Sequence, residues 1–95
     1  MSAYFIVDIE VTDPEAYENY RSQVPALVAK HGGKYLVRGG AFEVLEGDWT
    51  PHRLVVIEFP TSEAAKEFYD SDEYEPLKQM RLNATNSSLI QVEGA

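Results

Sequence analysis

Three charged residues are the first candidates for chemistry in this chain: Asp8, Arg38 and Glu58. Side chains alternate between the two faces of a strand, and this alternation places Asp8 of the first predicted strand and Glu58 of the third on the face without helices. We expect these two strands to be adjacent and parallel. Two carboxylates brought together raise the pKa of at least one of them, which makes a general acid or base, and a nearby arginine cancels the effect. Because Arg38 is placed to be that neighbour, the three residues predict either an ion pair that sets the register of an interface or a catalytic site.

A second group of candidates combines aromatic hydroxyls with a cation: Tyr20, Tyr69, Tyr74 and Arg81. Tyrosine hydroxyls and an arginine can together hold a carboxylate or an enolate, because a guanidinium binds such groups through two hydrogen bonds. The pattern predicts a small, mostly apolar cavity that binds an anionic metabolite, with Tyr20, Tyr69 and Arg81 near its mouth. The alternative is that the tyrosines belong to the core with satisfied hydroxyls and that Arg81 lies on the surface.

The histidines and the paired glycines predict no metal, haem or phosphate site. His31 follows a predicted helix, whose negative end favours a cation, and His52 has no second histidine at ligand spacing. Neither Gly32-Gly33 nor Gly39-Gly40 opens a helix or precedes Lys-Ser or Lys-Thr, as a phosphate-binding loop requires. We therefore expect no metal and no cofactor.

Length, charge and cysteine content limit the classes of partner. The chain has 95 residues, no cysteine and a formal net charge of −8. Its length predicts a single domain over residues 1–95. The acidic balance repels nucleic-acid phosphates and anionic lipid headgroups. No apolar run approaches the roughly 20 residues of a membrane helix, and the first residues lack a signal-peptide pattern. The absence of cysteine favours a cytoplasmic protein. The acidic charge and the lack of a long apolar run predict no nucleic-acid and no membrane partner.

The elements that must position these residues follow the order βαββαβ. Strands are predicted over residues 4–11, over residues 34–38 and 41–46 with a bend at Gly39-Gly40, over residues 53–59, and over residues 89–93. One helix is predicted over residues 14–31, another after a cap at Thr61 or Ser62, and a shorter one that restarts at Ser71-Asp72 or at Glu73. With right-handed crossovers this order gives an α+β, ferredoxin-like fold, a four-stranded antiparallel sheet with helices on one face.

The third strand predicts a homodimer. It is apolar on both faces, whereas an antiparallel sheet with one wet face should alternate. Ile6, Leu54 and Val56 need a covering partner, and a second copy of the sheet supplies it. Trp49, in the turn before this strand, is expected to be either a plug against the partner or a pocket wall, the plug being the favoured role.

Several motifs resemble those of a known family. They are residues 33–40 (GKYLVRGG), 45–49 (LEGDW), 53–60 (RLVVIEFP) and 68–71 (FYDS), together with Ala65, Glu73, Tyr74 and Arg81. They resemble the domain of unknown function 1330 family over nearly the whole chain. The resemblance implies the dimeric α+β barrel fold, whose other branches include cofactor-free monooxygenases, muconolactone isomerase and haem-dependent chlorite dismutases. The family has no established activity, so the resemblance assigns no catalytic residue.

Two functions remain open at the level of sequence. One is a small cofactor-free enzyme acting on a small organic acid or carbonyl compound, by analogy with the superfamily. The other is a non-catalytic module that binds a metabolite or another protein. The enzyme requires an internal pocket lined by tyrosine and arginine, whereas the module tolerates a filled core.

Overall fold

A four-stranded antiparallel sheet carries three helices on one of its faces. The computed structural model describes residues 1–95, in the order β1 (Ala3–Val11), α1 (Pro14–Lys30), β2 (Lys34–Arg38), β3 (Arg53–Phe59), α2 (Ser62–Asp70), α3 (Tyr74–Ala84) and β4 (Thr85–Glu93). The strand order across the sheet is β2-β3-β1-β4, and every pairing is antiparallel. The predicted ferredoxin-like βαββαβ fold is confirmed, with α2 and α3 together forming the second helical segment. None of the helices combines the length and the apolar character that crossing a membrane requires.

The first helix begins and ends at the signals that the sequence contains. Asp13 is the N-cap of α1, where its carboxylate accepts a hydrogen bond from the Ala16 amide at 3.2 Å, and Pro14 is the first helical residue. At the other end Gly32 adopts a φ of +79° and donates its amide to the Ala29 carbonyl at 3.0 Å. The predicted helix over residues 14–31 is therefore confirmed to within one residue at its end.

Hydroxyl groups start the two helices that follow β3. The side chain of Thr61 accepts a hydrogen bond from the Ala64 amide at 3.0 Å and caps α2. The hydroxyl of Ser71 accepts from the Tyr74 amide at 3.2 Å, which begins α3. The chain thus turns between α2 and α3 with only residues 71–73 between them.

The core lies between the sheet and the helices and is mostly aromatic. Phe5 and Phe59 project from neighbouring strands with their ring centroids 5.1 Å apart. Phe68 of α2 lies over them, and its ring centroid is 4.5 Å from that of Tyr74 on α3. These four rings are almost completely buried, and they fix the distance between the helical layer and the sheet.

The expected parallel pairing of the first and third strands is wrong. β1 and β3 are antiparallel, with Asp8 opposite Leu54 and Glu58 opposite Tyr4. The direction follows from the chain order, because β2 runs in the same direction as β1 and the connection after β2 reverses the chain. Asp8 and Glu58 therefore lie four residues apart along the sheet, a separation of about 13 Å.

The expected strand over residues 41–46 is absent. β2 ends at Arg38 because Gly39 adopts a φ of +72°, a left-handed conformation, while its amide donates to the Leu54 carbonyl at 2.8 Å. Residues 40–52 form an irregular segment in which all but Pro51 are exposed. The last strand is longer than expected, because β4 begins at Thr85, directly after α3, rather than at Leu89.

Candidate functional site

A buried arginine without an acidic partner marks the candidate site. Arg81 of α3 is 3% exposed, yet no carboxylate forms an ion pair with its guanidinium. Its Nε donates to the hydroxyl of Tyr74 at 3.4 Å, and its Nη1 donates to the hydroxyl of Ser87 on β4 at 2.7 Å. The hydroxyl of Tyr74 also shares a hydrogen bond with that of Tyr20 on α1, at 3.1 Å. Neutral oxygens alone therefore surround this buried cation.

Helical spacing explains why these groups meet. Tyr74, Leu77, Arg81 and Ala84 are the buried residues of α3 and recur at intervals of three or four, so they share the face that packs on the sheet. Tyr20 lies on the corresponding inner face of α1. β4 follows α3 without a loop, which places its hydroxyls within reach of the last turn of the helix.

The site opens into a small cavity between the sheet and the helices. Its volume is about 30 Å³, and its walls are mostly apolar residues of the strands and of the helices that cover them. A water molecule needs about 10–15 Å³ by this measure, so the cavity has room for about two waters or one carboxylate group. Three of the four arginines of the chain line it, namely Arg21, Arg38 and Arg81, and no Asp, Glu or His does. The cavity is therefore apolar and electropositive.

The mouth of the cavity lies where α1 approaches β2. Arg38 is the only exposed residue among those that line the cavity. Its Nη2 donates to the main-chain carbonyl of Arg21 at 2.9 Å, and its Cζ lies 4.9 Å from the ring centroid of Tyr35. The Nε of Arg21 is buried without a hydrogen-bond partner. Two guanidinium groups thus stand at the entrance.

The fourth arginine of the chain lies against the same cluster. The Cζ of Arg53 is 5.9 Å from the ring centroid of Tyr17, which lines the cavity. The Nε of Arg53 is buried without a hydrogen-bond partner, as is that of Arg21. Gly39 has no side chain on the side where this guanidinium lies, and an added Cβ would collide with it. The left-handed glycine that ends β2 therefore also makes room for Arg53.

Two phenols of the site, Tyr20 and Tyr35, stay protonated at neutral pH. Burial raises the pKa of Tyr20 well above its ordinary value of 10.0, and burial raises the pKa of Tyr35 to about 12. Both groups are therefore hydrogen-bond donors at pH 7 rather than bases. The arrangement can stabilise negative charge on a bound oxygen, and its own side chains supply no proton acceptor.

The structure brings together most of the second group of predicted residues. Tyr20, Tyr74 and Arg81 form one hydrogen-bonded chain, whereas Tyr69 does not line the cavity. The ring of Tyr69 packs behind two residues that line the cavity, with its centroid 6.1 Å from that of Phe5 and 5.9 Å from that of Tyr74, and the Nζ of Lys78 lies 4.2 Å from its centroid. The expected positions of Tyr69 and Arg81 at the mouth are wrong, because Tyr69 does not line the cavity and Arg81 is 3% exposed.

The first group of predicted residues is dispersed. Asp8 accepts hydrogen bonds from the His52 amide at 2.8 Å and from Trp49 Nε1 at 3.2 Å, and these bonds lower the pKa of Asp8 below its ordinary value of 3.8. Arg38 contacts neither Asp8 nor Glu58, because its side chain projects from the helix-covered face of the sheet. The expected ion pair among the three is therefore wrong.

Glu58 has separate partners at the other end of the outer face. It accepts a hydrogen bond from the hydroxyl of Tyr4 at 3.0 Å, and the Nζ of Lys34 lies 3.9 Å from its carboxylate. The catalytic role that the sequence suggested for Asp8, Arg38 and Glu58 stays an untested prediction.

Sequence reasoning missed three residues of the site: Arg21, Tyr35 and Ser87. Arg21 follows Tyr17 by four positions and precedes Val24 by three, so the helical spacing itself placed it beside the inner face. Tyr35 pairs with the buried Ile57 and shares its face. Ser87 could not be found, because no local signal marks the start of β4 directly after α3.

The chain belongs to a family without an assigned function. Residues 2–95 match the family described as Domain of unknown function (DUF1330), as the motifs predicted. No curated protein matches the sequence at a significant level.

Experimental structures share the fold at low sequence identity. A protein of unknown function from Rhodopseudomonas palustris is 20% identical with a TM-score of 0.80, over 99% of this chain and 82% of that one. SnoaB, a cofactor-independent oxygenase from Streptomyces nogalater, is 14% identical with a TM-score of 0.66, over 99% and 93%. A dimeric ferredoxin-like protein of unknown function from Jannaschia sp. CCS1 is 10% identical with a TM-score of 0.67, over 99% and 100%. At these identities the likeness establishes the fold and carries over no activity.

The unpaired burial of Arg81 predicts an unusual effect on stability. Burying a charge without a counter-ion carries a desolvation penalty. An apolar side chain of similar size removes this penalty together with the hydrogen bonds of Arg81, and the two effects on the free energy of unfolding should nearly cancel. We expect Arg81→Met to change the free energy of unfolding by no more than about 1 kcal/mol in urea titrations at fixed protein concentration. Tyr74→Phe, which leaves Arg81 Nε and Tyr20 without their shared partner, should lose about 1–3 kcal/mol.

The exposed Lys66 offers a control, because Lys66→Met removes the same charge far from the cavity and should be nearly neutral. A loss of more than about 3 kcal/mol in Arg81→Met would mean that the guanidinium is a structural element of the core rather than a group kept for binding.

Proposed function

We propose that the chain is an enzyme that works without a cofactor on a small organic acid or carbonyl compound. The observation that carries the proposal is the buried guanidinium of Arg81, which faces a cavity and has no carboxylate partner. A buried cation is ordinarily paired, because an uncompensated charge in an apolar environment is costly. A carboxylate or an enolate oxygen of the substrate supplies the missing negative charge.

The chemistry that fits this arrangement is stabilisation of an enolate. When the C–H bond next to a carbonyl breaks, the C–H electron pair forms the C=C bond of the enolate, the carbonyl π electrons move onto oxygen, and a water molecule at the open mouth of the cavity accepts the proton. Arg81 and the hydroxyl of Tyr74 or Tyr20 donate hydrogen bonds to that oxygen, and the apolar walls strengthen this interaction by excluding water. SnoaB, described as a cofactor-independent oxygenase, has the same fold, which supports cofactor-free chemistry on this scaffold.

Deuterium exchange tests the proposal without knowledge of the natural substrate. The protein is incubated in D₂O with pyruvate, 2-oxobutanoate and acetoacetate, and loss of the proton signal next to the carbonyl is followed by NMR. We expect exchange above the solvent rate for at least one compound, because a stabilised enolate forms and takes up deuterium. Arg81→Gln should slow the protein-dependent exchange by about 100- to 1000-fold.

Matched variants separate the site from general effects. Tyr20→Phe should also slow the exchange, whereas Tyr69→Phe, a helix tyrosine outside the cavity, should leave it unchanged. An exchange rate that Arg81→Gln leaves unaltered would contradict the assignment of the site.

A second candidate function is a metabolite-binding module that performs no reaction. It is favoured by the absence of any carboxylate or imidazole among the residues that line the cavity, which leaves the site without a base of its own. The same experiment distinguishes the two functions. Binding of a keto acid that depends on Arg81, with no exchange above the solvent rate for any compound, identifies the module.

We propose further that two copies of the chain associate through the outer face of the sheet. This outer apolar patch consists of the partly exposed Ile6, Leu54 and Val56 and of Val37, Ile90 and Val92, which are 37%, 57% and 42% exposed. Burying each such side chain contributes roughly 1.5–3 kcal/mol. The Jannaschia protein of the same fold is described as dimeric, which supports the proposal.

Sedimentation tests the homodimer. We expect a single dimeric species at micromolar concentration, and a shift towards monomer in Ile90→Lys, because a charge introduced into the patch would be buried unpaired. Leu82→Lys is the matched control, since Leu82 is 48% exposed on α3 and not on the sheet. A stable monomer of the unaltered chain would show that the apolar patch is not a dimer interface.

A further inference from the structure

Lysines and arginines are used differently in this chain. Each of the four lysines has a carboxylate oxygen within 4.0 Å: Lys30 with Glu73, Lys34 with Glu58, Lys66 with Asp70 and Lys78 with Glu75. Of the four arginines, only Arg21 has such a partner, the exposed Glu18 at 3.3 Å. Acidic residues outnumber basic ones by 16 to 8, so unpaired arginines in one place are not explained by a shortage of acids.

Two of the three arginines without a carboxylate partner, Arg38 and Arg81, line one cavity at different depths. Arg81 is buried at the inner end, whereas Arg38 is exposed at the mouth beside Arg21. Arg38 donates one hydrogen bond to a main-chain carbonyl and stacks on Tyr35, which holds its guanidinium in place while leaving other N–H groups free. The Nε of Arg21, also buried, has no partner at all.

The size of the cavity separates the two positions. A volume of about 30 Å³ accommodates a single carboxylate group beside Arg81, and the remainder of any larger ligand must extend outward. The outward path passes the mouth, where Arg38 and Arg21 stand. A second acidic group on the ligand would therefore lie on the side of the cavity where these guanidiniums stand.

We propose that this cavity takes a dianionic ligand, a short chain with an acidic group at each end. Arg81 binds the inner group and Arg38, with Arg21, binds the outer one and determines the preference for a second charge. The proposal rests on the proposed function, in that it specifies the class of substrate for the same site. It assigns to Arg38 a role in specificity that is independent of the stabilisation of an enolate.

Butanoate and succinate test the proposal, because both have four carbons and they differ in one carboxylate. Their dissociation constants are measured by calorimetry at equal ionic strength. We expect succinate to bind at least tenfold more tightly than butanoate. Arg38→Gln should weaken the binding of succinate more than that of butanoate and so abolish the preference, whereas Arg81→Gln should weaken both by about 10- to 100-fold.

Lys34→Gln is the matched control, since it removes one charge from the same strand on the opposite face and should alter neither affinity. Butanoate binding that depends on Arg81 without any preference for succinate overturns the dianion proposal alone. If the Arg38→Gln protein still binds succinate more tightly than butanoate to the same degree, the role of Arg38 in specificity is overturned. Failure of Arg81→Gln to weaken either acid overturns the proposed function and the dianion proposal together.

Discussion

The burial of one guanidinium without an opposite charge is the constraint on which the candidate site depends. Arg81 lies at the end of α3 between the hydroxyls of Tyr74 and Ser87, and its position is fixed by elements that meet without a loop. The hydroxyl of Thr85 donates to the Arg81 carbonyl at 2.6 Å, which joins the last turn of α3 to the first residue of β4. A cation held this rigidly in an apolar layer gives a bound anion a preorganised partner.

The fold divides its surfaces between this cavity and the outer face of the sheet. The covered face of the sheet contributes aromatic rings to the walls of the cavity, while the outer face exposes apolar side chains. Gly39, which precedes the irregular residues 40–52, accommodates Arg53 near the cavity. At the other end of this segment, Trp49 and His52 donate hydrogen bonds to Asp8 on the outer face.

Local signals made most of the fold predictable from the sequence. The caps at Asp13 and Thr61 and the alternation of β1 locate elements through contacts within a few residues. Residues 41–46 alternate like a strand, yet Gly39 turns the chain away before they can pair. The seven-residue spacing of Tyr74 and Arg81 placed both on one face of a helix, but the absence of an acid near Arg81 depends on every element around it. Asp8 and Glu58 were misplaced because parity gives the face of a strand and not its direction.

The most direct test of the central claim observes the Arg81 guanidinium itself. The chain has four arginines, so a ¹H–¹⁵N spectrum contains four Nε–H signals, which single Arg→Lys variants assign. Acetate is titrated against chloride at constant ionic strength. The account predicts a saturable shift of the Arg81 signal with acetate and none with chloride. An Arg81 signal that does not move, or four signals that move together without saturation, would contradict it.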